Sequence, residues 1–124
     1  MSKAILAALL AAAAAVGFAT SGLATGLGAH PFWAGSVPLM GLIAALPLFV
    51  IGLRWPLAGA LAAGALTLAA MAAARFGKAA FAASYAENTL AGHFWFLGWI
   101  VLSGAATALI AMGILALLRR GSAA

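Results

Sequence analysis

Residues 94–120 read FWFLGWIVLSGAATALIAMGILALLRR. From Phe94 to Leu118 no side chain is charged. At about 1.5 Å per residue the run crosses a hydrocarbon core of about 30 Å with some tilt. Phe94, Trp95, Phe96 and Trp99 crowd one end and Arg119 and Arg120 stop the other, the pattern of a membrane helix held between two headgroup layers.

Three more such runs precede it. One extends from about residue 4 to 27, nearly all Ala and Leu in its first half and rich in Gly, Ser and Thr in its second, with His30-Pro31 ending it. Another covers about 37–53, with Pro38 in its first turn and Pro47 inside, where a lost backbone hydrogen bond predicts a kink. A third covers about 56–74 and is almost entirely Ala, Leu and Gly. Arg54-Trp55-Pro56 leaves so short a link that the second and third runs must be antiparallel neighbours. Arg75 and Lys78 are read as closing the third run, which leaves 75–93 as the one sizeable connection; an interfacial helix carrying Phe76, Phe81 and Tyr85 is one reading of it, on weak amphipathic spacing, and Asn88 or Thr89 is placed to cap the last helix.

The composition says the same. Of 124 residues 68% are hydrophobic and 6% charged, with a mean hydropathy of +1.23. A soluble domain carries about 25% charged residues, and six cations with one acid cannot clothe a water-facing surface. The expected fold is all-α: residues 1–124 form one domain, an antiparallel, up-and-down bundle of four transmembrane helices. The opening Met1-Ser2-Lys3 is read as the start of an uncleaved first span, since the apolar stretch far exceeds a signal core of about 7–15 residues.

Charge sets the expected orientation. Lys3, Arg54, Arg119 and Arg120 fall at one end of the bundle, and Arg75 and Lys78 fall at the other near Glu87. The positive-inside rule puts both termini in the cytoplasm and the 75–93 connection outside. The dominance of Ala and Gly, and of Arg over Lys, suits the inner membrane of a GC-rich bacterium. Trp33, Arg54, Trp55, Trp95, Trp99, Arg119 and Arg120 are expected as interfacial anchors. The scattered cations form no nucleic-acid patch, so the expected partners are the bilayer and other membrane helices.

Small residues at helical spacing mark candidate packing faces, because close backbone approach drives helix association in lipid. Gly22 and Gly26 on the first run, Gly64 on the third, and Gly104, Thr107 and Ala111 on the fourth are the positions chosen.

Chemistry is sparse. One carboxylate cannot build a two-carboxylate mechanism, there is no cysteine, and no Ser-His-acid motif or phosphate loop is present, so no enzyme and no resident cofactor is expected. No ionisable group lies near the middle of a run, where coupled transporters and proton relays place theirs. His30 and His93 are the only candidate ligands: both are expected at one depth, where two imidazoles suit a haem iron, copper or zinc. The leading expectation is a non-catalytic accessory or scaffolding subunit. The alternatives are an oligomeric channel for a small solute, motivated by Pro47 and the hydroxyl-bearing faces, and a haem- or metal-binding subunit built on His30 and His93.

Overall fold

The computed structural model describes residues 2–123, and side chains from Ser2 to Gly121. It contains α1 (Lys3–Ser21), the single turn α2 (Leu23–Gly26), α3 (Val37–Arg54), α4 (Pro56–Ala83) and α5 (Thr89–Ala123), with no strand among the described residues. Four of these, all but α2, are long and apolar enough to cross a membrane.

Local chemistry sets the ends. Ser2 Oγ accepts from the Ile5 N–H at 3.1 Å and caps α1. Gly22, at φ 80°, ends α1 in the left-handed region that glycine enters without a Cβ penalty. The first span is therefore not the continuous helix over 4–27 that its composition suggests. α1 and α3 have 19 and 18 residues, each about 27–28 Å long and matched to the hydrocarbon thickness. Trp55 alone separates α3 from α4; its backbone (φ −132°, ψ 82°) lies outside the α region, which Pro56 disfavours for the residue before it. α3 continues as helix through Pro47.

The second difference lies at 75–93. α4 runs on past Arg75 and Lys78 to Ala83, and α5 begins at Thr89, so most of the expected connection is helical. Arg, Lys and Ala are good helix formers, and the cations mark a depth without ending the helix. Asn88 Oδ1 accepts from the Ala91 N–H at 3.0 Å and caps α5. At the other side of the link, the Ala86 N–H bonds Phe81 O and the Tyr85 N–H bonds Ala82 O, a Schellman closure with Tyr85 (φ 57°) and Ala86 (φ 65°) in the left-handed region.

The helices meet through glycine and alanine. Gly41 faces Gly104 so closely that a Cβ on Gly41 would lie 2.8 Å from Gly104 N, and one on Gly104 2.7 Å from Gly41 O. Gly52 and Gly59 bring α3 and α4 together on either side of the one-residue link. Gly77 lies against the α5 backbone at Ala91 and Trp95, and Gly98 against Ala74. α5 thus runs beside α3 in the same direction and beside α4 in the opposite one. α1 packs on α3 and α5 through Ala7, Ala11, Ala15 and Ala19, a buried stripe at every fourth residue.

Of the positions expected in packing faces, Gly104 and Ala111 lie in contact faces, and Thr107 is half-buried beside them. A Cβ added at Gly22, Gly26 or Gly64 would meet nothing within 4 Å. Gly22 is required by its backbone angle, and Ala7, Ala11, Ala15 and Ala19 form the buried stripe of α1.

Most large side chains point away from this interior, with Val37, Phe49, Trp99 and Leu115 the buried exceptions. Ile43 is 80% exposed and Phe32 91%, whereas Ala63 and Ala105 are fully enclosed. No polar or charged residue is buried among the described residues. Water would penalise such a surface heavily. Hydrocarbon does not, because between lipid tails and leucine there is no hydrophobic preference and close packing decides what lies inside.

Two outcomes follow for unfolding in detergent. Gly104→Leu forces α3 and α5 apart and lowers stability by about 3 kcal/mol or more, whereas Gly64→Leu changes it by under about 1 kcal/mol. Tyr85→Gly relieves the left-handed strain and raises stability by about 1 kcal/mol.

Candidate functional site

Above the level where α1 ends and α3 begins, α4 and α5 continue as a helical hairpin turned by residues 84–88. The segment between α2 and α3 folds against its base. Trp95 Nε1 donates to Gly28 O at 3.0 Å, tying the segment to α5. Around that bond the rings of His30, Trp33, Phe81, Trp95 and Phe96 form one cluster. His30 and Trp33 meet Trp95 edge-on at 5.5 and 5.3 Å, Phe96 meets Trp33 at 5.2 Å, and Phe81 meets Trp95 at 5.8 Å. Edge-to-face pairs at this spacing gain stability beyond their area.

The residues expected as anchors differ in exposure. Trp99 is buried against Ala24, Ala29, Ala34, Val37 and Ala74, and Trp33 and Trp95 are half-buried. They fill the space between segment and hairpin that alanines leave open. Trp55 is exposed, with the Arg54 guanidinium 5.3 Å above its ring. Arg119 and Arg120 are exposed on the last turns of α5.

The two histidines do not share a site. His30 lies off the helices and its Nδ1 accepts from the Phe32 N–H at 3.0 Å, with its ring on the Trp95 side of α5. His93 lies two residues before Trp95 on the same helix, about 200° round its axis. It lines an apolar groove of about 480 Å³ between α4 and α5, with Leu66, Ala70, Phe94 and Leu97. The two imidazoles therefore face different sides of α5. Among the described residues no group of three or more His, Asp or Glu side chains gathers to hold an ion.

Three of the hydroxyls that suggested a polar path are engaged locally. Thr20 bonds Val16 O, Ser21 bonds Phe18 O and Thr67 bonds Ala63 O, each within its own helix. Ser103 Oγ is enclosed beside the Gly41–Gly104 crossing without a partner.

One surface stands apart from the rest. On α4, Ala58, Ala62, Ala65, Ala69 and Ala72 are all exposed and alternate spacings of four and three. That period keeps a stripe facing a neighbouring helix over several turns. The exposed large apolar side chains on α3 are Leu, Ile, Val and Met, whereas this face offers a flat strip of methyl groups between Leu57, Leu61 and Leu68. The sequence contains the period, but Ala60–Gly64 and Ala63–Thr67 match small-residue spacing equally well. Only the packing reveals which of these faces the chain itself covers.

Comparison with family models, with curated proteins and with solved structures finds no match to this chain.

Replacing Trp95 by Phe keeps the ring contacts and removes the bond to Gly28. It should destabilise the protein by about 1–2 kcal/mol in denaturant titration, and His93→Ala by less than about 0.5 kcal/mol.

Proposed function

We propose that the chain is a small non-catalytic integral membrane protein that binds other membrane helices, as an accessory or scaffolding subunit or by joining copies of itself. The observation that carries this reading is the exposed alanine seam on α4. In hydrocarbon, helices associate where small residues let backbones approach, and here a seam over four turns is left open by the chain's own packing. The outer half of α1, where Ala13, Gly17 and Thr20 are exposed on one stripe, adds a second small-residue face.

In this reading the helices cross an inner membrane as an up-and-down bundle with both termini in the cytoplasm. Lys3, Arg54, Arg119 and Arg120 lie on the inner side, and the α4–α5 hairpin stands outside. Having no soluble mass, the chain acts through its lipid-exposed helix faces. A haem- or metal-carrying role loses its support with the separation of His30 from His93.

The absence of cysteine makes the test direct, since an introduced thiol is the sole site of reaction. A cleavable cross-linker attached at Ala65→Cys in native membranes should give a protein adduct, and the same reagent at Ile43→Cys on α3 should not. Ala62→Ile with Ala69→Ile should abolish the adduct while the helical circular dichroism is unchanged. Only uncoupled monomer at Ala62, Ala65 and Ala69 alike would remove the basis of the proposal.

A further inference from the structure

Arg75 and Lys78 stand apart from the other four cations. They are three residues apart on α4, so both leave the helix on one side, and both are exposed. Among the described residues no carboxylate lies within the 4.0 Å of an ion pair with either. Their depth is set by the helix itself. Arg75 is about 28 Å along the axis from Pro56, at the edge of a hydrocarbon layer of about 30 Å, and Lys78 is about 5 Å beyond, at headgroup level.

The ground beneath them is shaped. The Lys78 stem crosses the α2–α3 segment at Gly28, with Nζ 3.5 Å and Cδ 3.9 Å from the point where a Gly28 Cβ would sit. Below the two cations a notch of about 40 Å³ is lined by Met71, Ala74, Trp99 and Leu102. The notch is too small to enclose an organic anion, so anything held by the two cations lies mostly outside the helices. A cationic rim over an apolar floor, at the depth where a lipid changes from phosphate to acyl chain, has the two-part chemistry of one phospholipid.

We infer that Arg75 and Lys78, with the Gly28 segment, form a binding site for the phosphate of an anionic phospholipid whose acyl chain lies along Met71 and Leu102. Anionic lipids are favoured over zwitterionic ones because the latter carry their own ammonium beside the phosphate, while two unpaired cations call for net negative charge. The site requires the chain to span a bilayer, and it does not depend on the α4 seam. Loss of the seam adducts leaves it standing, and loss of lipid leaves the seam standing.

Native mass spectrometry of the full chain in mild detergent tests it, with phosphatidylglycerol, phosphatidylcholine and inorganic phosphate as separate probes. The wild type should retain phosphatidylglycerol in preference to phosphatidylcholine, and millimolar inorganic phosphate should not displace it. At the worth of a cation near a lipid surface, R75Q/K78Q should weaken retention about thirty-fold and K78Q alone about fivefold. R75K/K78R should retain the lipid within about threefold, since it keeps both charges. Equal retention of phosphatidylcholine, displacement by phosphate, or unchanged retention in K78Q and R75Q/K78Q would each overturn the assignment.

Discussion

Where Gly41 meets Gly104, two helix backbones approach until no side chain fits between them, and the rest of the molecule is arranged around that approach. Hydrocarbon gives leucine no reason to turn inward. What favours the folded arrangement is the number of atoms brought into contact, and that is greatest where side chains are smallest and backbones closest. Gly52 with Gly59, Gly77 with the Ala91–Trp95 backbone and Gly98 with Ala74 repeat the contact along α3, α4 and α5. α1 uses alanine for the same purpose. The outcome is an interior mostly of methyl groups and bare backbone, with Val37, Phe49, Trp99 and Leu115 filling it, inside a coat rich in Leu, Ile, Val and Phe.

A second constraint is thickness. α1 and α3 are cut to the hydrocarbon depth, and α4 and α5 are not. The overhanging hairpin would be a bare helix pair without the aromatic cluster at its base. There the Trp95–Gly28 hydrogen bond and the rings of His30, Trp33 and Phe96 join hairpin and segment. In the proposed bilayer placement the same helix lengths bring Arg75 and Lys78 to the level of phosphate. Thus one set of helix lengths positions the cap, the cations and the alanine seam. The seam lies within the thickness of the membrane, where a neighbouring helix can follow it.

Much of the fold is legible in the sequence. Uncharged runs give the four long apolar helices and Arg54-Trp55-Pro56 gives the tightest turn, but α5 runs through Arg119 and Arg120 to Ala123. What misleads is treating a charge as the end of a helix: Arg75 and Lys78 report membrane depth, and the alanines around them carry α4 on to Ala83. Gly22 misleads in another way. Its spacing from Gly26 matches a packing motif, yet its positive φ ends a helix. The site is less legible still. His30 and His93 fall at similar depth by counting, but two residues of separation from Trp95 put His93 on the far side of α5. The alanine seam is one of several equivalent stripes until the others are seen to be occupied. In a chain this rich in Ala and Gly, spacing restricts the faces without choosing among them.

The central claim is that small residues face protein and large ones face lipid. Site-directed spin labelling in bilayers measures this directly, through collision rates with oxygen, which concentrates in hydrocarbon, and with a water-soluble nickel chelate. Labels at Ile43, Leu61 and Leu68 should collide freely with oxygen and rarely with nickel, and labels at Ala63 and Ala105 should be shielded from both. Free nickel access at Ile43 and Leu68, or high oxygen access at Ala63 and Ala105 with shielded leucines, would contradict the account.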